Sequence, residues 1–100
     1  MAYRLCYFDE VKFDVKEAKI WYKKQRAGLE KRFAASIKIT LSRIKENPFM
    51  YAVQYNNIRI ARPKIFPYNI YFYVDNMNVN VIIIAIIHNK RDRSVVFKRL

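Results

Sequence analysis

The first half of the chain contains two stretches with helical periodicity. In the first, apolar residues recur at spacings of four, three and four, and lysines fill the opposite side; the apolar positions are Val11, Val15, Ala18 and Tyr22. In the second, the apolar positions are Leu29, Phe33, Ile37, Leu41 and Ile44. Two amphipathic stretches joined by a short connection predict an antiparallel helical hairpin.

Three residues set the predicted limits of the hairpin. Asp9 precedes the first helix, and its carboxylate can accept the free N–H groups of the first turn. Gly28, the only glycine, is predicted to end that helix, because a left-handed conformation is cheap only for glycine. Asn47-Pro48 ends the second helix, because the residue before proline avoids helical angles. The hairpin is therefore expected to fill the chain between Asp9 and Asn47.

Shorter stretches on both sides of the hairpin predict strands. Residues 3–8 are rich in aromatic side chains, which favour strands. In residues 58–62, isoleucines alternate with Arg59 and Ala61, and in residues 70–74 apolar residues alternate with tyrosines; such alternation is typical of strands. Residues 75–78 have the composition of a hairpin turn. Residues 79–88 are apolar on both faces, so we expect this strand in the centre of the sheet.

The order of elements is a strand, two helices and then three or four strands in a meander. It predicts a two-layer α+β fold, β-α-α-β-β-β, with the hairpin on one face of a mainly antiparallel sheet. Residues 1–100 are expected to form a single domain, with 91–100 as a basic C-terminal segment. That segment also carries apolar residues, so we expect the segment or a partner to cover part of the other face.

The charge of the chain is strongly positive. Twenty Lys and Arg stand against eight Asp and Glu, and the formal net charge is +12. Residues 1–46 and 47–100 each carry half of the excess, so it is not confined to a tail. Self-repulsion of this size costs stability and indicates a polyanionic partner: nucleic acid, an acidic protein or a membrane surface. A merely solvated basic surface is the plainer interpretation.

Composition narrows the class of protein further. Hydrophobic residues make up 53% and aromatic residues 16% of the chain, which argues against disorder. The longest apolar run, residues 81–87, is far shorter than the ~20 residues of a spanning helix, and the start of the chain lacks the apolar segment of a signal peptide. Cys6 is the only cysteine, which fits a reducing compartment. We therefore expect a cytoplasmic protein with no membrane partner.

Several segments, taken in order and spacing, resemble the RelE/ParE toxin superfamily, and its ParE-like members in particular. The segments are residues 18–25, Gly28-Leu29, Phe33, Ile44, Asn47-Pro48, residues 66–72, and His88 followed by Arg91-Asp92. The resemblance covers nearly the whole chain. It implies a β-α-α-β-β-β fold with a variable C-terminal segment, in agreement with the hydrophobic pattern.

The resemblance also implies a function. Members are toxins of type II toxin–antitoxin systems, associated with plasmid stabilization and growth inhibition, and a cognate antitoxin wraps an extended or helical segment around them. RelE-like members cut mRNA on the ribosome, and ParE-like members act on DNA gyrase. Inhibition of gyrase or a similar target is the favoured hypothesis. A ribosome-dependent endoribonuclease and a non-toxic nucleic-acid-binding module remain alternatives.

A RelE-like nuclease would need a cluster of cations but no metal. Basic side chains stabilise the charge on the scissile phosphate, while a general base and a general acid move protons. By the resemblance, Arg91 falls on the catalytic arginine of RelE. Arg59, Arg62 and Lys64 are the candidates to replace its strand lysines. We expect the three arginines to lie together on the far side of the sheet from the helices.

Two positions of the RelE proton relay differ in this chain. Phe97 falls where the family has a catalytic tyrosine, and a phenyl ring can stack on a base but cannot transfer a proton. Asn69 stands where RelE has another catalytic arginine. His88 is a candidate base, because histidine changes charge near neutral pH; the plainer alternative is that it caps the end of a buried strand. These differences favour a mechanism based on binding.

Other residues are candidates for binding. Tyr71 and Tyr73 alternate on one sheet face and could stack on nucleic-acid bases, although packing under the tail or the antitoxin is the plainer alternative. The remaining binding candidates are basic or aromatic residues of the second half: Lys64, Lys90, Arg93 and Phe97. No spacing of His, Cys, Asp or Glu is typical of a metal site, and one glycine cannot form a glycine-rich phosphate loop. We therefore expect neither a metal nor a cofactor.

Overall fold

The structure is a computed structural model that describes residues 2–100. In chain order the elements are β1 (Arg4–Tyr7), α1 (Glu10–Gln25), α2 (Leu29–Glu46), a 3₁₀ turn (Pro48–Met50), β2 (Val53–Tyr55), β3 (Ile58–Ala61), β4 (Tyr68–Asp75), β5 (Asn80–His88) and α3 (Ser94–Arg99). The predicted order of strand, two helices and strands is confirmed. The short strand β2 and the helix α3 were not predicted.

The strands form one mixed sheet in the order β1-β5-β4-β3-β2. β1 runs parallel to β5, and the other neighbours are antiparallel. β5 lies between β1 and β4 and is buried on both faces, as predicted. The pairing of β1 with β5 stops at Tyr7 and Ile83, so the edge of β5 beyond Ile83 has no strand beside it among the described residues.

The helices α1 and α2 pack on one face of this sheet. The centre of their contact is aromatic: the rings of Tyr22 and Phe33 stack with centroids 5.1 Å apart, and Phe66 meets both edge-on. Burying an aromatic or aliphatic side chain of this size contributes roughly 1.5–3 kcal/mol each. The buried residues of this face are Val11, Ala18, Tyr22, Phe33, Ile37, Ile44, Ala61, Phe66, Ile70, Phe72, Val81, Ile83 and Ile86.

A bulge in β5 changes which side chains face the helices. Tyr71 on β4 pairs with Ala85, but the next residue, Phe72, pairs with Ile83, so Ile84 is the extra residue. Ile83 and Ile86 consequently belong to the same core, although strict alternation would place them on opposite faces. The bulge is tolerated because β5 is apolar on both faces.

The far face of the sheet is covered by α3. Val96 is fully buried there against residues of the three central strands: Ile58, Ile60, Tyr71, Ile84, Ala85 and Ile87. The expectation that the C-terminal segment covers part of this face is confirmed. Within residues 2–100, no helix combines the length and the apolar character that crossing a bilayer requires.

Two details of the hairpin differ from the sequence-based expectations. Gly28 has the expected left-handed conformation (φ +97°), but it is the N-cap of α2, and its N–H donates to Oε1 of Glu30 at 2.7 Å. α1 already ends at Gln25. Asp9 does precede α1, but its carboxylate makes no capping bond, because its backbone is already helical (φ −58°, ψ −33°).

Candidate functional site

The three arginines proposed for catalysis do not form one site. Arg59 pairs with Phe72 on the neighbouring strand, and Phe72 belongs to the core under the helices, so Arg59 lies on the helical face. Its Nη1 donates to the carbonyl oxygen of Tyr51 at 2.5 Å, and its guanidinium lies 5.0 Å from the ring centroid of Phe49. Arg59 therefore holds the segment that follows α2.

Arg62 and Arg91 lie in two further environments. Arg62 is exposed after β3 and lines a groove with Ser36 of α2. Arg91 is exposed after β5 and lines a different pocket with Trp21 of α1. The expectation that the far side of the sheet presents these arginines together is wrong, because strand register and the course of the loops turn them to other surfaces.

The far face of the sheet instead carries a cluster of side chains that pack against one another beneath and beside α3. Asn69 is 5% exposed, and its Nδ2 donates to the hydroxyl of Tyr71 at 3.3 Å. The rings of Phe97 and Tyr55 lie 4.9 Å apart, and the guanidinium of Arg93 lies 5.5 Å from the Tyr55 ring. The positions that correspond by resemblance to the RelE relay are thus occupied by a buried amide, Asn69, and by a half-exposed phenyl ring on α3, Phe97.

The chemistry of this cluster does not supply a general base. Burial raises the pKa of Tyr55, the nearby Tyr71 raises it further, and Arg93 opposes the shift. The Tyr55 hydroxyl therefore stays protonated at neutral pH. This hydroxyl and Oδ1 of Asn69 are buried without a hydrogen-bond partner in the described part of the chain. Both oxygens can accept a hydrogen bond, but neither can act as a general base that takes a proton from a substrate hydroxyl.

The tyrosines proposed as a stacking platform face this same core. Tyr71 is 2% exposed, so its ring has no free face for a base, and it packs with Val96 of the C-terminal helix, in line with the plainer of the two alternatives. Tyr73 is half-buried and packs against the same cluster.

His88 holds the turn that follows β5. Its Nδ1 accepts the backbone N–H of Lys90 at 3.1 Å, and its ring meets Tyr68 edge-on with centroids 5.4 Å apart. The side chain of Lys90 is exposed, as is that of Lys64. His88 thus has the contacts of a residue that caps the end of a buried strand.

A groove with lysine rims runs along the seam between α1 and α2; we call it the lysine groove. Two adjoining cavities of about 680 and 590 Å³ share Lys12, Val15, Lys19 and Ala34. The floor is apolar and is formed by Val11, Val15, Ala34, Ile37 and Leu41. The rims carry Lys12, Lys16, Lys19, Lys23, Lys31 and Lys38, against one lining carboxylate, Glu30. In the sequence, Lys12, Lys16, Lys19 and Lys23 had the pattern of a solvated helix side.

An ion pair at the sheet edge was also missed by the sequence analysis. Both carboxylate oxygens of Asp14 accept bonds from Arg99, at 2.6 and 2.7 Å. Oδ2 of Asp14 also accepts the N–H of Ile86, and Nη1 of Arg99 donates to the carbonyl of Ile84. The pair thus satisfies the polar groups of β5 that β1 leaves free. The available signal was an acid on the apolar stripe of α1, between Val11 and Ala18.

Within residues 2–100, no group of three or more His, Cys, Asp or Glu side chains is placed to hold a metal ion. No family model matches the sequence, and no curated protein matches it significantly.

Solved structures do match the fold. A chain of the chromosomal ParDE toxin–antitoxin system from P. aeruginosa matches 87% of this chain and 96% of its own, with a TM-score of 0.75 and 12% identity. A chain of the RelBE2 toxin–antitoxin complex from Mycobacterium tuberculosis matches 88% and 99%, with a TM-score of 0.63 and 13% identity. A mutant of the E. coli toxin RelE in the free state matches 99% and 94%, with a TM-score of 0.62 and 18% identity.

These three neighbours define the class of fold. The chain is an α+β protein with the RelE/ParE toxin fold, as the resemblance of its segments implied.

Proposed function

We propose that the chain is the toxin of a type II toxin–antitoxin pair, and that it arrests growth by binding DNA gyrase or a similar protein target. The observation that carries this choice of mechanism is the closed far face. Asn69 is buried, the ring of Phe97 lies tilted against Tyr55, and Val96 of α3 is buried on the strands. The fold of the three structural neighbours supports the toxin role.

Electrostatics argues against RNA cleavage at this face. A scissile phosphate gains an extra charge in the transition state, and preorganised cations must point at that charge to lower the barrier. Arg59 is occupied by Tyr51 and Phe49 on the helical face. Arg62 and Arg91 line two different pockets. No common phosphate position is therefore served by the three arginines.

The lysine groove is the surface that we assign to the antitoxin. An amphipathic partner segment would place apolar side chains on Val15 and Ala34 and carboxylates beside the lysines of both rims. An acidic partner would also offset the self-repulsion of a chain with a net charge of +12. Opposite charges on the two surfaces speed association and select the correct partner.

Controlled expression in a bacterium tests the toxin role. We expect induction of the chain to stop growth, and co-expression of the neighbouring open reading frame, which we expect to encode a small acidic protein, to restore it. We further expect purified chain to inhibit DNA supercoiling by purified gyrase, and induction to trigger a DNA-damage response. Normal growth despite abundant folded protein would contradict the toxin role. Arrest without any effect on gyrase would leave the toxin role intact and contradict the target.

A pair of variants tests the antitoxin surface. Lys12→Glu/Lys19→Glu reverses two charges in the centre of the lysine groove, and calorimetry should show at least about a tenfold weaker complex with the acidic partner. Lys24→Glu/Lys45→Glu makes the same change of charge at exposed positions outside the groove. We expect this control to bind within about threefold of the unmodified chain. Equal weakening by both variants would show that only net charge matters and would contradict the assignment.

A further inference from the structure

A second basic surface lies on the other flank of α2. It is the concave surface between α2 and the loop of residues 62–67 that joins β3 to β4, and we call it the arginine groove. It has a cavity volume of about 330 Å³. The charged side chains that line it are all basic: Arg32, Arg43, Arg62 and Lys64.

The cations stand in two facing rows. Arg32 and Arg43 are eleven residues apart on α2, which is about three helical turns, so they lie on the same side of the helix and roughly 16 Å apart along its axis. Arg62 and Lys64 lie opposite them on the loop. The hydroxyl of Ser36 donates to the carbonyl of Lys64 at 3.1 Å, which ties the loop to the middle of the helix.

The loop itself is held in a strained conformation. Ile65 has a φ of +77°, which β-branched residues rarely adopt, and its side chain is 82% exposed. Pro63 and Phe66 on either side of it are buried and anchor the loop. Strain of this kind persists only where the surroundings fix it, and it concentrates at ligand sites.

The cations of the groove have no carboxylate partners. The ion pair found within residues 2–100 joins Asp14 and Arg99. It lies at the edge of β5, and not in the arginine groove. The four cations of the arginine groove are exposed, and no acidic side chain lines the groove with them. Their charge is therefore available to a ligand.

We propose that the arginine groove binds the sugar–phosphate backbone of a single nucleic-acid strand. Three of its four cations are arginines, whose planar guanidinium matches two phosphate oxygens at once. A span of roughly 16 Å along α2 is long enough for cations at its two ends to contact different phosphates of one strand. The exposed Ile39 and Ile65 at the rim offer apolar surface to sugars and bases.

The two grooves differ in the partner that they fit. The basic residues of the lysine groove are all lysines above an apolar floor, which suits an amphipathic acidic segment. The arginine groove concentrates guanidinium groups, which suit phosphates. The proposal stands independently of the toxin role, because it rests on this surface alone.

Fluorescence anisotropy with a labelled oligouridine about twelve nucleotides long tests the proposal. The variant Arg32→Gln/Arg43→Gln should raise the Kd at least about tenfold, and it should flatten the slope of log K against log salt by ~1.4, since each lost phosphate contact contributes ~0.7 for a single strand. The control Lys24→Gln/Lys45→Gln removes the same charge outside both grooves and should change the Kd less than about threefold.

Three results would overturn the proposal. The first is equal weakening by the variant and the control, which would reduce the binding to net charge. The second is displacement of the oligouridine by polyglutamate as effectively as by unlabelled oligouridine, which would assign the groove to an acidic protein. The third is the absence of binding by the unmodified chain. Circular dichroism confirms that the variants fold, and Arg62→Gln/Lys64→Gln on the loop provides a second variant with the same expected loss.

Discussion

At the scale of single residues, Asp14 and Arg99 join the two ends of the chain at the edge of β5. Their side chains are 5% and 12% exposed, and together they occupy the N–H of Ile86 and the carbonyl of Ile84. Asp14 on an apolar stripe was visible in the sequence, but its partner was not. Arg99 is one of four basic residues among the last ten, and the sequence does not indicate which of them pairs with Asp14. The position of α3 determines that it is Arg99.

Removing one member of this pair should destabilise the fold. We expect Arg99→Gln to lower the free energy of unfolding by about 3 kcal/mol, because it leaves a buried carboxylate without its cation. Urea denaturation at neutral pH measures the change. Lys98→Gln, at the exposed neighbouring position, should stay within about 0.5 kcal/mol of the unmodified chain. If the two variants were equally stable, the ion pair would have no structural role.

The site residues were harder to assign than the core residues, for reasons that also lie at this scale. Arg59 and Arg62 were recognised as cations, but their surfaces depend on strand register and on the loop after β3, which periodicity does not determine. Arg32 and Arg43 had the pattern of ordinary solvated helix positions. Their proximity to Arg62 follows only from the packing of the loop against α2.

At the scale of elements, the long amphipathic segments were predictable and the short ones were not. α1, α2, β3 and β4 each show a period in their apolar residues that packing then uses, and β5 is a continuous apolar run. β2 has three residues with an irregular register, and α3 has six. Helices this short are not stable by propensity alone, so α3 exists because Val96 is buried against the sheet.

The packing of α3 can be tested at one residue. We expect Val96→Ala to lower the free energy of unfolding by about 2 kcal/mol, because it leaves a cavity in the far-face core. Val95→Ala, at a half-buried neighbour, should cost less than half as much. Urea denaturation of both variants measures the difference. Equal effects would mean that α3 does not seal the far face through Val96.

At the scale of the whole molecule, burial shifts the pKa of five of the eight tyrosines. Burial raises the pKa of Tyr7, Tyr22, Tyr51, Tyr55 and Tyr68 above the ordinary value of 10.0. The folded chain therefore holds these protons more tightly than the unfolded chain. The associated stability is fully present below pH 10.0 and is lost as the pH rises through the folded-state values.

We therefore expect stability to fall steeply on the alkaline side. Urea denaturation should give a constant tyrosine contribution up to about pH 9 and a falling midpoint above about pH 10. Tyrosinate absorbance should show part of the tyrosines ionising only as the chain unfolds. Complete ionisation of all eight tyrosines in the folded state near pH 10.0 would contradict this.

The net charge of +12 is divided among surfaces that suit different partners. The lysine groove suits an acidic segment, and the arginine groove suits phosphates. On the far face, where the resemblance places the chemistry of RelE, Val96 of α3 packs with Tyr71, and Asn69 is buried. These surfaces support the proposed mechanism, in which the chain acts by binding rather than by cleaving RNA.

Mapping the 5′ ends of transcripts during induced growth arrest tests this mechanism most directly. If the chain acts by binding, growth stops while messenger RNAs keep their normal ends, and Arg91→Ala arrests growth as strongly as the unmodified chain. New ends inside codons that disappear with Arg91→Ala would show instead that the chain cuts RNA.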